Sequence, residues 1–480
     1  MKRLGCHLTA FCCDNSGGKH VMLSDLVLDY KAHFWEDTEL RAQENRSCSV
    51  LIKDGVVVKN AVSERTGVFA RVFKGGLFGA AAGNAYDDVT IRRVLKEAER
   101  LAADGDKRNR LGEARLPIIS SGRVVLDREI RPLNFKLHFE LARIIDEYID
   151  RKYPKLDSHE VRVRSNISEK NLAVSNGWDA HTAIVRAYVD ISLITTADDG
   201  RKAELSNYFG KSCYLEDAFE DIEWLYEKID NLYQQLMDYR QGVPPQAGVH
   251  DVILSPDLSG MLAHEAVGHT VEGDFVQGGS IAGVRMRQQV ASPIVTLMDY
   301  AHTIPDGEAH CRVLVDDEGT PAQDCTIIEN GILKNYLNSR QTARLYGGTA
   351  CGCTRASDYY DEPMIRMRNT AIAPGKDTLE DMIASIEHGY YLVGNTSGQA
   401  GTDGEFMIGT SLGYEIKNGK IIRPVRDTTL SGIAFELLKT VTMVSNKQEW
   451  RFGGVCGKKQ FICTAFGGPA IKCRAKIAGL

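Results

Sequence analysis

The sequence predicts an α+β protein with a mixed α/β N-terminal part and a C-terminal part that is largely antiparallel sheet with packed helices. Three observations lead there. Apolar residues recur at helical spacing in three stretches that all precede residue 242. Hairpin dipeptides flanked by β-prone runs occur at Asp54-Gly55, Asn330-Gly331 and Asn418-Gly419, two of them in the second half. Between the halves, Gly242-Val243-Pro244-Pro245 makes continued helix unfavourable.

Taken in order, Val50–Lys53 and Val56–Val58 flank the first turn pair, so an N-terminal hairpin is expected, with further β-type material at Gly67–Phe73. Ile91, Val94, Leu95, Ala98, Leu101 and Ala102 predict a helix over about 90–103. Leu137, Leu141, Ile144, Ile145, Tyr148 and Ile149 predict a second amphipathic helix. A third runs from Phe219 through Ile222, Leu225, Ile229 and Leu232 to Leu236. The expected division is an N-terminal α+β domain at 1–242 and a β-rich domain at 249–480. No strict repeat and no low-complexity tract is visible.

Composition bounds the function. With 480 residues the chain can build two cores. Lys and Arg total 58 against 64 Asp and Glu, so a net charge of −6 offers no general attraction to nucleic acid or to an anionic membrane, and neither is an expected partner. No apolar run approaches the roughly 18 residues of a membrane span. Met1–Cys13 faintly resembles a signal peptide, but His7 and the lack of a clean small-residue cleavage site argue against that reading. The twelve cysteines are scattered rather than packed into a short scaffold, and neither Cys12-Cys13 nor Cys351-Gly352-Cys353 is a C-x-x-C pair. Reduced thiols and a cytoplasmic setting are expected.

Chemistry is concentrated in His264-Glu265-Ala266-Val267-Gly268-His269, two histidines and a glutamate inside an apolar stretch. Zinc takes neutral imidazole readily, and a carboxylate beside a ligating histidine can accept a proton from metal-bound water without itself being a ligand. Zincins usually space such histidines four apart, on one helical face. Here the spacing is five, which on an ideal helix leaves the side chains about 140° apart. Either the helix carries a one-residue bulge or it breaks at Gly268, where the missing Cβ would permit it. Helix-face histidines satisfied by ordinary hydrogen bonds are the alternative.

This HExxxH segment, with Val271-Glu272-Gly273-Asp274 after it, resembles the signature of the TldD/PmbA family in its metal-bearing branch. Asp316-Asp317-Glu318-Gly319-Thr320-Pro321, Arg366-Met367-Arg368-Asn369-Thr370, Arg423-Pro424-Val425-Arg426 and Cys456-Gly457-Lys458 match the same family. The resemblance implies a zinc metallopeptidase with His264, His269 and Cys456 as ligands and Glu265 as general base. Three protein ligands leave a position open for water, as a catalytic site requires. It further implies unfolded or extended peptide substrates held by strand addition, in a homodimer or in a heterodimer with a PmbA-like paralogue.

Cys456 rests on the resemblance, since Cys463 and Cys473 are equally plausible core thiols, although nearby glycines permit an unusual path and Lys458 could favour the thiolate. Glu272 and Asp274 could orient a ligating histidine or simply form an acidic turn around Gly273. The competing expectation is a non-catalytic peptide-binding or regulatory subunit of the same fold. PmbA-type members lack the metal segment, and the intact HEAVGH argues against that reading.

Overall fold

The computed structural model describes residues 27–109, 114–126 and 129–479. Met1–Cys13, and with it the signal-peptide question, lies outside the described residues. Among those described, no helix is long and apolar enough to cross a membrane, and no disulfide joins the nine described cysteines.

An α+β architecture is observed. The chain first builds a seven-stranded sheet. β1 (Asp37–Lys53), β2 (Val56–Lys74) and β3 (Leu77–Gly83) precede helix α1 (Asp88–Asn109); β4 (Gly122–Val124) and α2 (Phe135–Lys152) follow. β5 (Ser158–Val174), β6 (Trp178–Thr196) and β7 (Lys202–Lys211) complete it, before α3 (Leu215–Ala218) and α4 (Glu223–Gln241). The order is β3-β2-β1-β5-β6-β4, with β7 on β6. Asp54 and Gly55 both adopt positive φ, 48° and 78°, the geometry of a tight two-residue hairpin turn. α4 stops at Gly242, as the glycine and prolines demand.

β1 shows how this sheet is used. Leu40, Ala42, Val50 and Ile52 point to one face and pack against α1 and α2, forming two apolar cores. The intervening Glu39, Arg41, Gln43, Asn45 and Ser47 point to the other face. That polar face meets the second half of the chain: Arg71 bridges Glu39 and Glu318, both at 2.9 Å, and Arg41 donates to the Asp358 and Asp361 carbonyls. Lys170 pairs with Asp317 at 2.7 Å.

The second half is organised on an eleven-stranded sheet that starts with β8 (Gly248–Leu254). Its longest members form a hairpin, Met443–Lys458 and Gln460–Gly479. Most pairings are antiparallel, but His388–Ala400 runs parallel to β8 and Asn369–Ile372 parallel to the last strand. The turn pairs Asn330-Gly331 and Asn418-Gly419 have φ of 48° and 81°, and 51° and 72°. Arg368 and Asp299, both fully buried, pair at 2.8 Å, joining the strand Leu297–Tyr300 of this sheet to the start of its neighbour Asn369–Ile372.

Candidate metal centre

The histidine segment begins as an ordinary helix. The Ser255 side chain caps α5 (Pro256–Met261) and Pro256 occupies its first turn. From Leu262 to Gly268 the chain widens into a π-helical turn, where the His269 N–H donates to the His264 carbonyl five residues back. Of the two geometries open from sequence, the molecule takes the bulge. It turns both imidazoles to one side, with ring centroids 5.4 Å apart at 77°. Gly268 is not a break, since its φ of −53° and ψ of −48° are helical. The glycine serves a different purpose: a Cβ there would lie 1.8 Å from Met367 Sδ.

Cys456 arrives on the long hairpin, near its turn at Lys459, whose φ is 58°. The fully buried Arg366 donates to the carbonyls of Cys456 at 2.6 Å and Gln460 at 3.0 Å, fixing the two arms of the hairpin. As a result Cys456 Sγ lies 3.1 Å from His269 Nε2. The donor atoms of His264, His269 and Cys456 all lie within 4.8 Å of one another, and no other such group of three exists among the described residues. His264 and Cys456 are 2% and 4% exposed. His264 Nδ1 is buried without a hydrogen-bond partner, a state that costs free energy.

Around this triangle the acidic residues take distinct positions. His269 Nδ1 lies 3.1 Å from the fully buried Glu272 carboxylate, which favours the tautomer that leaves Nε2 facing Cys456. Asp274 does not touch a histidine; it accepts from Lys458 at 2.8 Å. Lys458 also donates to Glu272 at 2.9 Å and stands 4.3 Å over the Phe275 ring. The expectation that Lys458 favours the thiolate is therefore corrected, because its charge is taken up by two carboxylates. Burial pushes the Cys456 thiol up, but His264 and His269 outweigh it and bring it down to about 4. Burial likewise lowers His269, yet Glu272 and Cys456 lift it to about 10. Burial raises Glu272, and His269 and Lys458 reverse that to hold it below the ordinary carboxylate value.

Glu265 occupies the mouth. Its Oε2 is 3.7 Å from His269 Nε2 and its side chain is 21% exposed, so it can meet a molecule entering from solvent. The strand His388–Ala400 passes close above it at Gly398, where a Cβ would come within 3.3 Å of Glu265 Cγ. Two imidazoles and a thiolate are a donor set suited to zinc, with one position left for an exchangeable ligand. Arg366 and Met367 had no role assigned from sequence, although the motif containing them stood out.

Residues 247–479 match the PmbA/TldA metallopeptidase C-terminal domain, and residues 38–102 match domain 1 of the same metallopeptidases. A Buchnera aphidicola (subsp. Schizaphis graminum) protein named metalloprotease TldD homolog is 31% identical over 444 residues, covering 89% of this chain and 90% of that one. A zinc metalloprotease TldD homolog of Saccharolobus solfataricus is 29% identical over 68% of this chain and 72% of its own. In fold, the chain is similar to TldE from Thermococcus kodakarensis, with a TM-score of 0.71 over 94% of this chain and 99% of that one at 18% identity.

Proposed function

The chain belongs to the TldD/PmbA metallopeptidase family, and on that premise we propose that it is a zinc-dependent peptidase acting on unfolded or extended polypeptides. The observation that carries this reading is the convergence of His264, His269 and Cys456 with Glu265 standing at the mouth. In this reading the three converging residues hold the metal. Bound there, zinc would supply Lewis acidity, polarising the scissile carbonyl and lowering the pKa of water towards about 7.

The chain's own groups do the rest. Glu265 accepts the proton of the attacking water and returns it to the leaving amine. Glu272 retains the proton on His269 Nδ1 and so keeps Nε2 available, while Lys458 holds Glu272 in its charged form. Substrate binding by strand addition gives main-chain hydrogen bonds and little sequence selectivity. The working form is a dimer, either of this chain or with a PmbA-like paralogue, in the cytoplasm.

Elemental analysis of alanine variants tests the ligand set. About one zinc per chain is expected in the wild type and little in the His264, His269 or Cys456 variants. Full retention in Cys456→Ala would remove that cysteine from the site, and retention in both histidine variants would remove the site. Zinc-loaded protein that cleaves no unfolded polypeptide would favour the regulatory-subunit reading.

A further inference from the structure

On the polar face of the seven-stranded sheet, cross-strand pairing aligns a row of small polar side chains that ends in an arginine. Ser63 pairs with Ser47, Ser47 with Asn166 and Asn166 with Arg186, across β2, β1, β5 and β6. The adjacent row on the same face is Arg65, Asn45 and Ser168. The rows form the floor of a cleft of about 200 Å³, closed by Arg355–Ser357 and by Ile462 and Cys463 of the second half.

Charge in this cleft is one-sided. No Asp or Glu lines it. Arg65 and Lys170 are matched from outside by Asp358 at 2.9 Å and Asp317 at 2.7 Å. Arg355 is not matched: its guanidinium donates to the carbonyls of Cys463 and Met367, and its Nε is buried without a partner. Arg186 has no carboxylate beside it either; it hydrogen-bonds the Cys463 sulfur, which Cys311, Arg186 and His310 push well below the ordinary thiol value against burial, it lies near Tyr188 and Cys311, and its Nε is orphaned. Apart from the Cys463 sulfur, neither guanidinium has an anionic partner, and each keeps an unused Nε donor, which leaves hydrogen-bonding capacity for an oxyanion.

We infer that this cleft is a binding site for an oxyanion, a carboxylate or phosphate group held by Arg186 with Arg355 behind it and the serine and asparagine side chains as neutral donors. Guanidinium groups bind planar and tetrahedral oxyanions through paired N–H donors, and Ser and Asn supply further hydrogen bonds at no charge cost. The inference is independent of the metal and of peptide cleavage. Cys456 and Cys463 sit on opposite faces of their hairpin, because Cys456 pairs with Ile462 and Cys463 with Val455.

Calorimetric titration of the zinc-loaded protein with inorganic phosphate, and separately with succinate, at constant ionic strength set by chloride, tests it. Saturable binding of at least one anion is expected. It should weaken at least tenfold in Arg186→Gln and in Ser168→Asp, which leaves every arginine in place but puts a negative charge on the floor. Tighter phosphate binding would identify a phosphate group as the ligand, and tighter succinate binding a carboxylate. Absence of saturable binding by either anion to the wild type, or unchanged affinities in both variants, would overturn the proposal.

Discussion

Glu272 holds His269 from behind: its carboxylate lies 3.1 Å from Nδ1 on the ring edge opposite Cys456, at a position with no solvent exposure. In Glu272→Gln the hydrogen bond can persist, but the charge that favours a basic Nε2 is gone and Lys458 loses one of its two carboxylates. Zinc affinity should fall about 10- to 100-fold, measured by competition with a chromophoric chelator. Asp274→Asn, which reaches the histidine only through Lys458 and then Glu272, should change it far less.

The Gly268–Met367 contact predicts a steric effect separable from metal chemistry. Gly268→Ala drives a methyl group into the fully buried Met367 thioether and should destabilise the fold by about 1–3 kcal/mol. Thermal unfolding should show the loss, and Gly268→Ala with Met367→Ala should recover part of it. No loss in the single variant would contradict the close packing.

Proton release should report the state of the metal-free cluster. At pH 7 Cys456, near 4, is already a thiolate, whereas His269, near 10, is an imidazolium. A cation taking Nε2 must displace the His269 proton, so about one proton per zinc should appear in a weakly buffered titration. Apparent affinity should then fall about tenfold for each unit of acidification between about pH 10 and neutrality, as His269 takes up its proton. The group with the raised pKa, His269, stabilises the metal-free fold fully below its unfolded value and loses that contribution as pH rises through about 10. For Cys456, with its lowered pKa, the contribution is complete above the unfolded thiol value and is lost as pH falls through about 4.

The parts of the fold that were legible are those set by local chemistry. Asp54-Gly55, Asn330-Gly331 and Asn418-Gly419 carry the positive φ angles that hairpin turns require, and α1 and α2 follow their apolar spacing. β5 and β6 drew no expectation. Ser165, Glu169 and Asn171 are buried on the same side of β5 as Val161, Val163 and Ile167, which interrupts a simple apolar alternation. The polar face of β1 reads like a solvent face, yet it is covered by the second half through Arg41, Arg71 and Lys170.

At the site, the five-residue histidine spacing pointed to a distorted helix, and the π turn is that distortion. Cys456 could not be chosen on spacing, because only the long hairpin and Arg366 bring it to the histidines. The difference between Glu272 and Asp274 was equally hidden, since it depends on where Lys458 reaches from the distant hairpin.

The central claim, that the cluster is a catalytic centre with Glu265 as its base, is tested most directly by Glu265→Gln. The substitution keeps size and polarity but removes the proton acceptor. Zinc content and unfolding temperature should stay near wild type while cleavage of an unfolded polypeptide falls about 10²- to 10⁴-fold, roughly 3–5 kcal/mol of barrier. A variant that keeps its zinc and cleaves at the wild-type rate would contradict the account.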